Sequence, residues 1–372
     1  MTRTTLNIGY VPLVDSAPLV IAQELGFAAK EGLTLNLLKQ PSWSTLRDLL
    51  ALGTLDAAHM LSPLPIAMSL GLSSLRVRVH TLMVLSMNGN VIGVSNHVAC
   101  AMRAAGWDGQ FGTPHDTGRA LLAVTDHPKV GVPFPHSMHA ELVAHWLGAL
   151  DNASARTRTV PPPLMAKAVE AGEVDAFCVG EPWGSVVVEN KVGELILPGA
   201  AIWNASPEKV LGAREAWIDA HPNEVRALIR AVWRAGEWLA APDNLSLASE
   251  VLARTDFLDL PEQVIDLALR SHLCPKPGAL PERVPHFLRF HGDQVTHPFP
   301  SHADWIATKL ARHHGLDPVE SSRLAQETYR AKLYLSAVAG LRKPEEVDSQ
   351  GLLEYDTLTP MGPDETLDQN PF

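Results

Sequence analysis

The 372-residue chain is short of cysteine: Cys100, Cys178 and Cys274 are far apart and odd in number, with no CxxC and no Cys/His ligand spacing. That argues against a disulfide framework and against a structural zinc site. Clusters of Lys and Arg are missing too, and with a net charge of −11 the chain is a poor candidate for a nucleic-acid surface. No window approaches ~18 uninterrupted apolar residues, so no membrane span is expected. The opening Met1-Thr-Arg-Thr-Thr-Leu-Asn-Ile-Gly-Tyr10 has no basic n-region, apolar h-region or small-residue cleavage site, which makes a cytoplasmic address the expectation. Catalytic signatures are absent as well: there is no GxSxG, HExxH, GxxxxGK[ST] or GxGxxG. Asp15-Ser16 and His136-Ser137 could be pieces of a hydrolase triad, but triads assemble in space and adjacency in sequence says little. The sixteen histidines are scattered, and only His136-Ser-Met-His139 pairs two closely. The expectation is a protein that is not an enzyme and uses no metal or cofactor.

What the chain does contain is an internal repeat. Leu49-Leu-Ala-Leu-Gly53-Thr-Leu-Asp56-Ala57 and Lys167-Ala-Val-Glu-Ala-Gly172-Glu-Val-Asp175-Ala176 both read as an amphipathic helix ending at Gly, two residues, then Asp-Ala opening an apolar strand. The offsets agree: 172 − 53 = 119 and 175 − 56 = 119. Gly fits the residue just past a helix, and the apolar run fits a buried strand. Upstream the match continues in order. Leu6–Pro12 and Lys129–Pro133 are strands running into loops, followed by helices at about 17–25 and 139–147. Leu33–Leu38 and Ala155–Val160 are strands followed by the proline-bearing loops Gln40-Pro-Ser-Trp43 and Pro161-Pro-Pro163. Each half therefore reads strand–helix–strand–helix–strand, the pattern of a parallel sheet.

Ligands of open α/β sheets sit outside the carboxyl ends of the strands, so two facing halves predict an interlobe cleft. The expected division is lobe I over residues 1–87, lobe II over 88–200, completion of lobe I with C-terminal helices over 201–342, and an extended tail over 343–372. Residues 75–94 look like paired strands crossing between the lobes, Pro222 splits the helical stretch 215–239 in two, and 243–340 reads as helices wrapping the first lobe. The loops at the cleft supply donors: Ser42, Trp43, Ser44, Thr45, Ser62, Asn88, Asn90, His136, Ser137 and His139. Helix N-termini with such side chains suit a small anion. Each also has a plain structural use, the hydroxyls as helix caps, Trp43 as a hydrophobic staple and the histidines as core or surface residues.

Trp43-Ser-Thr-Leu-Arg-Asp48, Leu55-Asp-Ala-Ala-His-Met60 with Pro63-Leu-Pro65, Asn88-Gly-Asn90, Pro133-Phe-Pro-His136, Pro161-Pro-Pro163, Phe177-Cys-Val-Gly-Glu-Pro-Trp183 and Pro207-Glu-Lys-Val-Leu-Gly212 together resemble the nitrate/bicarbonate solute-binding family of ABC importers, over roughly residues 5–240. The resemblance implies an α/β, type II periplasmic-binding-protein-like fold with an oxyanion between two lobes. Carried over by motif, the anion ligands fall on Trp43, Asn90, His139 and Lys209, with His136 a rival to His139 and Ser44 and Thr45 as further donors. Asn90 stands where transporter subunits tend to have Gln, a shorter arm that suits a different anion geometry such as nitrite. With no export signal visible, the resemblance further implies the cytoplasmic nitrate/nitrite sensor of assimilation operons, which pairs with a response-regulator-like antiterminator. The alternative is the solute-binding subunit of a nitrate or bicarbonate importer. Some bicarbonate-binding relatives use calcium, for which Glu181 would be the nearby carboxylate.

Overall fold

The glycine and aspartate of the repeat perform the same task twice. In the computed structural model, which describes residues 3–150, 153–292, 295–341, 362–364 and 366, Gly53 and Gly172 both follow a helix with positive φ, at 84° and 65°. Three residues on, Asp56 accepts the Asn7 backbone N–H at 2.7 Å and Asp175 accepts that of Lys129 at 2.8 Å. In return Asp56 N–H donates to the Asn7 carbonyl and Asp175 N–H to the Lys129 carbonyl. The aspartate thus extends the strand ladder past its first regular pair.

The chain lays down β1 (Thr4–Tyr10), β2 (Leu33–Lys39), β3 (Ala57–Leu61) and β4 (Val79–Asn88) in one sheet, then β5 (Asn90–Ser95), β6 (Lys129–Val132), β7 (Arg156–Thr159), β8 (Ala176–Gly180) and β9 (Gly193–Pro198) in a second, and returns to the first with β10 (Pro207–Arg214). Strand order is β2-β1-β3-β10-β4 in the first sheet and β7-β6-β8-β5-β9 in the second, with the short Leu288–Arg289 strand added beside β4. The first three strands of each series run parallel, and the fourth runs antiparallel to the third. Each lobe therefore borrows its fourth strand from the segment that has just crossed over. The fold is the expected α/β, periplasmic-binding-protein-like pair of lobes.

The crossing strands are not paired with one another, as the sequence suggests, because β4 and β5 belong to different sheets. Asn88 and Gly89, with φ of 60° and 95°, turn the chain between them. The Asn88 amide anchors the turn, donating to the carbonyls of Asn204 at 2.7 Å and His286 at 2.8 Å while Oδ1 accepts from Ser206 N–H. The two crossovers are thereby fastened together.

Pro222 does divide the following stretch, into helices Glu215–Ala220 and Pro222–Leu239. Apolar positions Val225, Leu228, Ile229, Val232 and Leu239 of the second helix join the core that also holds Leu19, Val20 and Ile21 of the first lobe. The helix Pro300–His314 departs from expectation. Its Ala303, Ile306 and Leu310 are buried in the second lobe's cluster with Trp146 and Trp203, and in the same cluster lie Ile66 and Ala67 of the first lobe. This segment spans both lobes rather than wrapping one. Of the tail expected to be extended, residues 343–361, 365 and 367–372 lie outside the described residues; Asp364 sits 3.4 Å from His145, and Thr366 is buried.

The aspartate of the repeat yields a direct test. Asp56→Ala and Asp175→Ala each remove a charge-assisted hydrogen bond to a strand-end N–H, and each should lower unfolding stability by about 1–2 kcal/mol. Urea denaturation checks this, and equal losses are expected at the two positions.

Candidate functional site

At the carboxyl ends of the strands, five ionisable side chains are buried together: Asp15, His59, His139, Glu208 and Lys209. Asp15 lies in the short 3-10 turn Val14–Ser16 that follows β1, and His59 lies within β3. Trp43 opens the helix Trp43–Leu52, which Ser42 caps by accepting the Thr45 N–H and which buries Trp43, Leu46 and Leu50 along one face. His139 lies in the first turn of the helix Met138–Gly148, capped by Ser137.

Glu208 and Lys209 are adjacent on β10, and in a regular strand their side chains would point to opposite faces. Here the register of β10 against β4 shifts on both sides of Lys209. This bulge lets both side chains remain in one buried cluster. Lys209 Nζ lies 2.8 Å from Glu208 Oε1 and 2.7 Å from Asp15 Oδ2. Asp15 Oδ1 in turn lies 3.0 Å from His59 Nε2. Across the interlobe space, the Asn90 amide donates to Glu208 Oε2, and His139 Nδ1 lies 3.3 Å from Glu208 Oε1 without hydrogen-bond alignment.

Lys209 and Asn90 occupy equivalent places in the two halves. Lys209 pairs with Leu61 at the end of β3, and Asn90 pairs with Gly180 at the end of β8. The partners differ by 180 − 61 = 119 positions, the offset of the repeat. One lobe therefore presents an ammonium and the other an amide from the same point of the same strand order.

The lobes are shut over this cluster. Val14 N–H donates to the Glu181 carbonyl at 3.0 Å, and the Trp183 indole N–H donates to the Pro12 carbonyl at 2.8 Å. Inside, Trp43 Nε1, His139 Nε2 and Asn90 Oδ1 are buried without a hydrogen-bond partner. Lys209 Nζ stands 5.7 Å from the centre of the Trp43 ring, and His59 stands 5.5 Å from it, ring to ring.

Burial by itself pushes the Asp15 carboxyl up, but Lys209 and His59 outweigh it and bring the pKa down to about 2. Burial depresses Lys209 in the same way, and Asp15 and Glu208 more than compensate, so its ammonium is held charged. Glu208 is raised, burial exceeding what Lys209 returns. Burial, then Lys209, keeps His139 well below the ordinary imidazole range, and burial lowers His59 also.

The structure thus brings together Trp43, Asn90, His139 and Lys209, and leaves out three other residues carried over from the sequence. His136 is half-buried, with Nε2 at 3.3 Å from His314 Nε2 and its ring against Phe134; burial, His314 and Arg47 hold its pKa at about 4. Ser44 and Thr45 are occupied at the helix start, their hydroxyls each 2.9 Å from Ser42 Oγ, because a first turn needs its polar groups satisfied locally. The triad fragments dissolve for a similar reason: Ser16 and Ser137 donate to the carbonyls of Leu13 and Phe134. Sequence reasoning did not place Asp15, His59 or Glu208 in the site. Glu-Lys inside the apolar Val-Leu-Gly-Ala strand was the available signal, since buried charges require partners. Among the described residues no group of three or more His, Cys, Asp or Glu could hold a metal ion, and no helix is long and apolar enough to cross a membrane.

Residues 1–253 match the model of the NMT1-like family. The chain is 30% identical to the nitrate/nitrite binding protein NrtA of Synechocystis over 92% of its own length and 78% of that protein's. It is 33% identical to the nitrate import ATP-binding protein NrtC of the same organism over 98% of its length, but spans only 54% of that relative. Its fold superimposes on the crystal structure of the periplasmic nitrate-binding protein NrtA from Synechocystis with a TM-score of 0.82, at 28% identity, covering 100% of this chain and 99% of that one.

Two stability experiments test the electrostatics. Lys209→Met leaves two buried carboxylates unpaired and should cost about 3–5 kcal/mol, whereas the triple change with Asp15→Asn and Glu208→Gln should recover much of that. Glu181, buried beside the Ser185 N–H, has its pKa raised by burial from 4.5 to about 7. Its contribution is full below pH 4.5 and is lost as pH rises through about 7, a decline of about 3 kcal/mol. Glu181→Gln should abolish that decline, read as the difference in denaturation midpoint between pH 5 and pH 8.

Proposed function

We propose that this chain, which belongs to the NMT1-like family alongside the nitrate- and bicarbonate-type solute-binding proteins, binds a small monovalent oxyanion, nitrate or nitrite, between its two lobes. The observation that carries this reading is the Trp43 indole N–H, buried without a partner beside the Lys209 ammonium. Native structures seldom leave a buried donor unspent, and an anion at that point would accept from it. Lys209 has three N–H donors and directs two at Asp15 and Glu208, which leaves one for the ligand. His139 supplies the facing group from the second lobe.

The charge supports a monoanion. Asp15 and Glu208 already lie against the one ammonium, so a dianion such as sulfate would carry excess negative charge into a site closed to water. Nitrate has a single delocalised charge and only acceptor atoms, which matches directed N–H donors. Relatives that bind nitrate or take part in its import support a solute-binding role that hands the anion to membrane partners, more than they support a cytoplasmic sensor paired with an antiterminator. The whole chemistry of closure is common to both uses; nitrate-dependent release of a bound antiterminator from the purified complex would favour the sensor.

Titration calorimetry with nitrate, nitrite, bicarbonate and sulfate tests the proposal. Nitrate or nitrite should bind at micromolar to low-millimolar levels and sulfate should not; absence of heat with either nitrogen oxyanion would overturn it. Trp43→Phe keeps the ring and removes the N–H, and should weaken binding by about tenfold.

A further inference from the structure

The neutral His139 ring carries one proton on two nitrogens. Its Nδ1 is the ring nitrogen turned to Glu208, 3.3 Å from Oε1 without hydrogen-bond alignment, and the charge of an ionised Glu208 at that distance favours the tautomer with the proton on Nδ1. Nε2, buried and without a partner, is then a lone pair. One N–H of the Asn90 amide is spent on Glu208, and its Oδ1 is a buried acceptor without a partner. Neutral His139 beside ionised Glu208 therefore turns an acceptor, not a donor, toward an incoming oxyanion.

We propose that the anion enters together with one proton, taken from solvent and held by the His139–Glu208 pair. His139 then donates from Nδ1 to Glu208 and from Nε2 to the anion, and Glu208 is the positioning residue that sets both. This rests on the oxyanion reading above and adds its coupling to pH. The charge balance argues the same way: with Asp15 and Glu208 ionised against Lys209, a monoanion without a proton would set three negative groups against one positive one, all out of water. Lys209 faces the His139–Glu208 pair from the same strand as Glu208, Asp15 and His59 are engaged with each other from lobe I, and Asn90 does not titrate. Cys178 of β8 is neutral, its thiol pushed well up by burial and by Glu208. Burial and Lys209 keep His139 unprotonated beforehand, so the proton arrives with the ligand.

Nitrate titrations at one pH in buffers of different ionisation enthalpy count the protons. About one should be taken up per nitrate near pH 7.5, and the apparent Kd should rise by up to about tenfold per pH unit above neutrality. Glu208→Gln lets a neutral His139 carry its proton on Nε2, so uptake per nitrate bound should fall toward zero whatever affinity remains. If that variant does not fold, His139→Gln should abolish uptake equally. Nitrate heats that are identical across buffers, with a pH-independent Kd, would overturn the coupling and leave the anion site standing. No nitrate binding in any buffer would instead overturn the reading on which it rests.

Discussion

A single ammonium, Lys209, holds the two halves of the design together. It is fully buried between Asp15, which follows the first strand, and Glu208, its neighbour on the strand that returns from the second lobe. A buried ion pair is weak evidence for stability, because apolar residues of similar volume often do as well or better. What this one supplies is a fixed positive charge at the carboxyl end of a sheet, with its position determined from two directions. Glu208 also reaches Asn90 and His139 of the other lobe, so the same cluster links the lobes across the cleft.

The repeat explains why such a site is available at all. Two copies of one strand order face each other, and the borrowed fourth strand of each brings one residue to the same point, Lys209 in the first and Asn90 in the second. Divergence at that point gives one lobe a charge and the other a directional amide. The bulge in β10 then adds what a regular strand cannot, two consecutive side chains in one buried space.

Much of this was legible in the residues. Gly53 with Asp56 and Gly172 with Asp175 announced the repeat because each must satisfy a local backbone requirement, a left-handed turn and a strand-end N–H, that tertiary context cannot supply otherwise. The motifs around Trp43, Asn90, His139 and Lys209 pointed to residues that do come together. His136 was inseparable from His139 by spacing alone, since one lies in the loop before the helix Met138–Gly148 and the other in its first turn, and only the packing of the lobes decides which ring is buried in the cluster. Asp15, His59 and Glu208 were not placed because their roles come from one another's burial across distant strands, and pairing at that range leaves no local pattern. The helix Pro300–His314 packs on the first lobe as expected and reaches the second lobe as well, which sequence could not show because an amphipathic stripe tells that a face is buried, not against what.

The central claim is that a small oxyanion lies among Trp43, His139 and Lys209. A crystal structure of the protein with nitrate tests it most directly. The account predicts planar density within hydrogen-bond distance of Trp43 Nε1, His139 Nε2 and Lys209 Nζ, with the Asp15 and Glu208 contacts to the ammonium intact. Nitrate bound elsewhere, or a site that closes with Trp43 Nε1 turned to a protein acceptor instead, would contradict it.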